Sequence, residues 1–270
     1  MDHYCVVGNP IEHSLSPFIH NYFAKNTSQN LEYGRQLIEL DKFKETVVGL
    51  FKDGLCGCNV TVPFKEQAYD MCDKLTQRAE LAQSVNTLMM CDGIIYGDNT
   101  DGAGIVKDLM DNQNVVIKDR DILVIGAGGA AKGIIGSLLE QSPRKLVITN
   151  RTSSKSVLLS KHFARWGNVS ADTIDCVHGV FDIVINATSG SLKGELPGVP
   201  DSVFNRGTVA YDLMYSTKPT VFMEHADALG AVAYDGLGML IEQAAESFNF
   251  WRKIMPDTKE LIKVIRSMNK

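Results

Sequence analysis

ILVIGAGGAAKGIIGSLLEQSPRKLVITNRTSSK, residues 122 to 155, reads as a strand, a glycine turn, a helix and a second strand that ends in polar and basic residues. Ile122 to Ile125 is a short apolar run of the kind buried on both faces of a parallel sheet. Gly126, Ala127, Gly128, Gly129, Ala130 and Ala131 follow it as G-x-G-x-x-A. Gly126 allows the tight turn, Gly128 lets the backbone approach an anion, and small Ala131 lets the helix pack against the strand. The helix N-terminus then aims its N–H groups at a phosphate. Placed between a strand and a helix, the motif predicts a dinucleotide site; glycines serving only a tight strand-to-helix turn are the structural alternative.

The second strand, Lys145 to Thr149, bears on which dinucleotide. An NAD site places Asp or Glu there for the ribose hydroxyls, whereas a 2′-phosphate favours guanidinium and ammonium groups. Here the strand runs into Asn150, Arg151, Thr152, Ser153, Ser154 and Lys155, with two cations and no acid. The three hydroxyl residues suit a helix cap and phosphate oxygens alike. The reading is NADP, and the plain alternative is a basic surface loop.

Bulk properties exclude other classes. At 270 residues, two domains are expected, and 44% hydrophobic residues suffice for real cores. A net charge of −5 without a run of Lys or Arg gives no field for nucleic acid, so a small-molecule substrate is expected and no nucleic-acid partner. No apolar segment approaches the ~18 residues of a membrane span, and the first residues do not read as a signal peptide. A cytoplasmic protein is expected. Six cysteines, at positions 5, 56, 58, 72, 91 and 176, form no C-x-x-C pair and no zinc-site spacing; they read as reduced, buried thiols, with no metal site.

Along the chain, Tyr4 to Val7, a helix after Pro17, Glu32 to Ile38, a helix through Leu50 and Gly57 to Val62 give the order βαβαβ. Val85 to Cys91 and Ile94 to Tyr96 flank Asp92-Gly93, a hairpin turn pair, which makes the first sheet mixed. A helix is expected from about Gly102 to Asp111. Asp182 to Ala187, Thr208 to Leu213 and Ala231 to Tyr234 extend the second sheet, and two amphipathic helices close the chain. The expected fold is α/β with two domains, an N-terminal mixed αβ sandwich and a Rossmann-type doubly wound parallel sheet. Residues 1–101, completed by C-terminal helices in 239–270, form the substrate-binding catalytic domain, and 102–238 the nucleotide-binding domain.

Four polar clusters in the first domain are candidates for chemistry. Ser14 and Ser16 precede Pro17, with Ser16 read as the N-cap of the next helix; the pair also suits a substrate carboxylate. Asn59 and Thr61 share one face of a strand, and Pro63 ends it so that Lys65 lies over the strand's C-terminal end, where ligands of open α/β sheets bind. Asp101 leads into a helix and also suits a simple cap. Asn86 is an amide in an apolar strand, equally suited to a structural bond.

These residues carry a resemblance. Ser14-Leu-Ser16-Pro17, Asn59-Val-Thr61-Val-Pro63-Phe-Lys65, the Val85-Asn86-Thr87 segment, Gly97 to Gly102, Gly126 to Ala131, Asn150-Arg151-Thr152, Asn186-Ala-Thr188-Ser189 and Asp235 to Met239 with Gln243 resemble, in order, the motifs of the shikimate dehydrogenase family. The resemblance spans nearly the whole chain. It implies a two-domain enzyme of aromatic amino-acid biosynthesis, on the route to chorismate, that interconverts 3-dehydroshikimate and shikimate with NADPH and NADP. By position it implies Lys65 and Asp101 as the catalytic pair. It implies Ser14, Ser16, Asn59, Thr61, Asn86, Tyr215 and Gln243 at the substrate. Gly126 to Ala131, Asn150, Arg151, Thr152, Lys155, Thr188, Met214 and Gly236 are implied at the cofactor, in a monomer or homodimer. The segment Ser189-Gly190-Ser191 and the stretch from Tyr215 to Phe222 depart from the family pattern in the nucleotide-binding half. A quinate/shikimate dehydrogenase using NAD, and a catalytically silent NADP-binding module, are the rival readings.

Overall fold

The computed structural model describes residues 1–268. Two compact units divide the chain, Met1–Gly104 with Ile241–Met268, and Ile105–Leu240. In the first, β1 (Asp2–Gly8), α1 (Ser16–Asn26), β2 (Leu31–Leu37), α2 (Phe43–Lys52) and β3 (Leu55–Val60) follow one another, then α3 (Lys65–Asp70), β4 (Lys74–Leu75), α4 (Gln77–Ala82), β5 (Thr87–Cys91), β6 (Ile94–Asp98) and α5 (Asp101–Lys107). The strand order is β2-β1-β3-β5-β6-β4. The pairs β1·β2 and β1·β3 are parallel, while β5 runs antiparallel to both β3 and β6. Antiparallel β5 makes the sheet mixed, and its turn to β6 is Asp92-Gly93 with both residues at positive φ (51° and 76°), the geometry that matches strand twist in a two-residue hairpin. Apolar spacing drives the helices onto this sheet: α2 buries Phe43, Val47 and Phe51 on one stripe, and these join Val7, Val60, Phe64 and Leu88 in the core.

The second unit carries β7 (Asp121–Ile125), α6 (Gly129–Glu140), β8 (Lys145–Asn150), α7 (Ser153–Phe163), β9 (Val169–Thr173), β10 (Ile183–Asn186), β11 (Val209–Asp212), α8 (Val221–Ala228) and β12 (Val232–Asp235). All pairs are parallel, in the order β12-β11-β10-β7-β8-β9. This is the doubly wound arrangement, with the order reversing beside β7, where ligands of such sheets bind. Residues Ile122 to Ile125 are wholly buried, as their unbroken apolar run requires. Two helices end the chain, α9 (Leu237–Arg252) and α10 (Lys259–Met268); the latter buries Leu261 and Ile265.

Several sequence readings need correction. The helix expected to Asp111 stays α-helical only to Lys107 and continues as a π-helical turn over Asp108–Asn112. Buried Asp108 accounts for the break, since it accepts the Tyr211 hydroxyl (2.5 Å) and the side-chain amides of Asn112 and Gln113. Edge strands β4 and β9 lie outside the strands expected from the sequence. The six thiols are free, but only Cys5 and Cys58 are buried, while Cys91 and Cys176 are exposed. Burial pushes the Cys5 thiol up to about 12, so it stays protonated and inert.

Candidate active site

The polar centre of the first unit is built where β3, β5 and β6 deliver their ends. Past β3, Thr61 donates its N–H to Val7 O (3.0 Å). A side chain at Gly8 would strike the Thr61 methyl (2.4 Å), so glycine there lets the two loops close together. After Pro63, buried Phe64 stacks on Phe43 with centroids 4.8 Å apart and anchors the start of α3. Lys65 is the first residue of that helix, and its carbonyl accepts Val85 N–H (2.9 Å). Both ends of its backbone are thus held by core contacts.

Asp101 arrives on the opposite segment. Its N–H is taken by Asn99 Oδ1 (3.1 Å), so Asn99 caps the turn and the Asp101 carboxylate is not consumed by capping its own helix. One residue earlier, buried Asp98 receives Arg78 through two bonds (2.7 and 2.5 Å) and the Thr76 hydroxyl (2.5 Å). Burial works against the Arg78 charge, but Asp98 and Glu246 more than offset it and hold the guanidinium pKa above its usual value. The result is a rigid loop. Lys65 Nζ stands 2.5 Å from Asp101 Oδ2, with the lysine side chain 16% and the aspartate 6% exposed.

Asn86 lies beside this ion pair. Its Oδ1 accepts Thr100 N–H (2.9 Å), which turns Nδ2 toward Asp101 Oδ1 (2.8 Å), Thr100 Oγ1 (2.9 Å) and Gln243 Oε1 (3.2 Å). Gln243 comes from α9. Asn59 is deeper: its Oδ1 accepts the Tyr33 hydroxyl (2.7 Å), and its Nδ2 faces Asn86 O, Thr87 Oγ1 and Ser247 Oγ at 3.0–3.2 Å. Lys65, Asp101, Asn86, Gln243 and Asn59 therefore form one connected cluster.

Ser14 and Ser16 stand apart from that network, at the start of α1. Ser16 is not the N-cap: it is the first helical residue, the cap position is Leu15, and the Ser14 hydroxyl accepts Ser16 N–H (3.3 Å). Arg35 holds the loop by donating to Ser14 O (2.7 and 3.2 Å). Among the described residues the Ser16 and Thr61 hydroxyls make no hydrogen bond to protein.

In the second unit, Gly126 adopts φ +118°, and a Cβ there would come within 3.1 Å of Ala187 O. Gly128 occupies the N-cap position of α6, where an added Cβ would meet nothing within 4 Å. Open space above a helix N-terminus is what a pyrophosphate needs. Ala131 is fully buried against the sheet. Past β8, the Asn150 amide donates to Thr152 O (3.0 Å), and Arg151 and Lys155 are exposed with no ion pair among the described residues. Thr152 sits at the N-cap of α7 without a side-chain capping bond, so its hydroxyl, read from the sequence as a cap, is not spent on the helix. These groups fit a dinucleotide with a 2′-phosphate.

Across the sheet, Asn186 Oδ1 accepts both the N–H and the hydroxyl of Thr188 (3.1 and 2.7 Å), and its amide donates to Asp212 Oδ1 (3.3 Å). Asp212 Oδ1 also takes Met214 N–H (3.1 Å), and Gly236 N–H bonds Met214 O (3.1 Å). Burial raises the Asp212 pKa against the effect of these donors. A side chain at Gly236 would come within 2.2 Å of Leu213 O, so only glycine fits. Tyr215 follows on the same turn, half-buried.

Thr87, Thr100, Ser247, Tyr33 and His20 also belong to the polar interior of the first unit, and no sequence reading singles them out. A readable signal existed for one of them, since Ser247 lies four residues after Gln243 on the same buried stripe of α9.

Three family models match the chain: the shikimate dehydrogenase substrate binding domain over residues 6–88, shikimate / quinate 5-dehydrogenase over 108–193, and the shikimate 5′-dehydrogenase C-terminal domain over 236–266. A shikimate dehydrogenase (NADP(+)) of Hahella chejuensis is 48% identical, covering 98% of this chain and 99% of its own. The Vibrio campbellii protein of the same name is 50% identical over 98% and 96%. Among solved structures, an Ael1 enzyme from Pseudomonas putida aligns with TM-score 0.91 at 39% identity over 98% of each chain. Shikimate 5-dehydrogenase from Thermus thermophilus, in complex with NADP(H) and shikimate, aligns with TM-score 0.89 at 27% identity over 99% of each.

Proposed function

The chain belongs to the shikimate dehydrogenase family, and from that premise we propose that it reversibly reduces 3-dehydroshikimate to shikimate with NADPH. The observation that carries the chemistry is the contact of 2.5 Å between Lys65 Nζ and Asp101 Oδ2. NADPH supplies the hydride that reduces the ring ketone. Negative charge then grows on the carbonyl oxygen, and the Lys65 ammonium meets it with a hydrogen bond and gives up a proton as the alcohol forms. In the reverse direction the Lys65 amine takes that proton back. Asp101 fixes the ammonium in place and is the acceptor for a neighbouring substrate hydroxyl.

Substrate binding is assigned to Ser14, Ser16, Asn59, Thr61, Asn86, Tyr215 and Gln243, with the two serines at the carboxylate. The cofactor is assigned to the loop from Gly126 to Ala131, to Asn150, Arg151, Thr152 and Lys155 around the 2′-phosphate, and to Thr188, Met214 and Gly236. What supports NADP over NAD is the exposed Arg151 and Lys155 where an NAD site needs an acid. No helix among the described residues is long and apolar enough to cross a membrane. We place the reaction in the cytoplasm, in a monomer or homodimer.

Loss of NADPH absorbance on adding 3-dehydroshikimate to the purified protein tests the activity. Steady consumption is expected; none at millimolar substrate would remove it.

A further inference from the structure

Thr87 is the first residue of β5, paired with Asn59 of β3 on one side and Asp98 of β6 on the other. It is fully buried. Its hydroxyl reaches three side chains: Asn59 Nδ2 at 3.2 Å, Asn86 Oδ1 at 2.9 Å and Ser247 Oγ at 2.7 Å. A threonine placed on a strand only for its β-branched shape would bury the methyl and leave the hydroxyl with one convenient carbonyl. Three side-chain partners, on β3, on α9 and on the residue just before β5, are a different situation.

The protons can be followed through the cluster. Asn86 Oδ1 already takes Thr100 N–H (2.9 Å) and has one lone pair left for a second donor. Thr87 O–H fills it. The short contact to Ser247 joins a second hydroxyl to Thr87 Oγ1, the one Ser247 proton being shared between that contact and the Gln243 carbonyl (3.0 Å), while Asn59 Nδ2 faces Ser247 Oγ, Asn86 O and Thr87 Oγ1. Ser247, Thr87 and Asn86 thus form one hydrogen-bonded group whose members polarise one another. Thr100 Oγ1 lies farther from Asn86 Oδ1 (3.2 Å) and takes an Asn86 Nδ2 hydrogen, so Thr87 is the nearer hydroxyl donor; with Oδ1 held by Thr87 and the Thr100 N–H, Nδ2 faces Asp101 Oδ1 at 2.8 Å. Asp101 is thereby left with Oδ2 for Lys65.

Resting on the catalytic assignment of Lys65 and Asp101, we propose that Thr87 is a positioning residue for the reaction: its hydroxyl locks the Asn86 amide in the orientation that holds the Asp101 carboxylate against Lys65. Ser247 is the second member of the same group. Neither residue touches the reacting atoms.

Two substitutions at Thr87 separate this role from packing. Thr87→Val keeps the shape and removes the hydroxyl, whereas Thr87→Ser keeps the hydroxyl and removes a buried methyl. A packing role favours valine, and the positioning role favours serine. Under the proposal, Thr87→Val lowers kcat for 3-dehydroshikimate reduction about tenfold, the scale of a slightly misplaced catalytic group, and leaves the KM for NADPH within about twofold. Thr87→Ser recovers at least half of the wild-type kcat. Ser247→Ala, which removes the hydroxyl bonded to Thr87, lowers kcat about threefold and serves if the valine variant fails to fold.

Thr87→Val with wild-type kcat, or Thr87→Ser as impaired as Thr87→Val, would overturn the proposal. If the wild-type protein itself shows no turnover, the activity falls and the positioning claim is judged by a crystal structure of Thr87→Val. An unchanged Asn86 Nδ2 to Asp101 Oδ1 bond there overturns it, and a rotated Asn86 amide upholds it.

Discussion

Replacing His20 should flatten the acid limb of the stability curve. His20 is on α1, fully buried, and stacks face to face on Tyr33 with centroids 4.2 Å apart. Phe23, Phe248 and Trp251 enclose it at 6.1, 6.3 and 5.3 Å, and neither ring nitrogen has a hydrogen-bond partner. Burial in that aromatic cage lowers its pKa from the ordinary 6.5 to about 3, opposed by Asn59, whose side chain lies near the ring without closing a hydrogen bond of normal geometry. Between these values the unfolded chain binds a proton that the folded chain refuses, so stability is full above pH 6.5 and is lost as pH falls toward 3. At pH 5 the unfolded state gains RT ln(1 + 10^1.5), about 2 kcal/mol, against about 0.2 kcal/mol at pH 7. Complete burial means solvent does not screen the effect. Urea unfolding at pH 7 and pH 5 measures it, followed by Trp251 fluorescence in a Trp166→Phe background so that only this unit reports. His20→Leu will shift absolute stability through packing, but that offset cancels in the difference between the two pH values. The parent should lose about 2 kcal/mol more than His20→Leu on going from pH 7 to 5. Parallel losses, within about 0.5 kcal/mol, would show that His20 takes up its proton in the folded state and that the cage is wetter than it looks.

Three further outcomes follow from the same geometry. Lys65→Ala should lower kcat roughly 10²-fold or more with a smaller change in substrate KM, the usual scale for losing a general acid, and steady-state kinetics with near-normal kcat would remove Lys65 from that role. Arg151→Ala should raise the KM for NADP far more than that for NAD; equal effects would mean that no 2′-phosphate is read there. Arg78→Ala strands the buried Asp98 carboxylate and should cost about 3 kcal/mol in urea unfolding, whereas a loss below about 1 kcal/mol would mean that Thr76 and the Asn99 N–H satisfy Asp98 unaided.

The nucleotide half was legible because its demands are local. A strand of four apolar residues, a glycine at positive φ and a small residue against the sheet each constrain one position, and Gly126 and Ala131 show those constraints directly. Edge strands were not legible. In β4 only Lys74 and Leu75 pair, with Tyr96 and Gly97, and two residues carry no period. In the first unit, motifs named the polar groups without their bonds. Ser16 was read as a cap because serine before proline usually is one, yet the helix begins one residue earlier and Ser14 supplies the acceptor. Thr87 stands in the Val85-Asn86-Thr87 motif without a role of its own, because its three partners lie 1, 28 and 160 residues away. Hydrogen-bond closure across such separations is a property of the fold that no local pattern encodes.

Counting valences sorts the polar residues of the first unit more sharply than their motifs do. Asn59 Nδ2 has two hydrogens and three protein acceptors, and its Oδ1 already takes the Tyr33 hydroxyl. At 6% exposure it has little left to offer a ligand. Asn86 can meet one only by trading a bond it makes to Asp101, Thr100 or Gln243. Lys65 is different, because an ammonium has three N–H groups and among the described residues only one is spent, on Asp101. The Ser14 proton and the Ser16 and Thr61 hydroxyls are likewise uncommitted among the described residues. The Ser16 and Thr61 hydroxyl oxygens are not among the fully buried unpartnered atoms, so both are open to water or a ligand. Ser16, 5% exposed, keeps its hydroxyl for the proposed substrate, while Asn59 would reach that substrate only by exchanging one of its scaffold bonds for it.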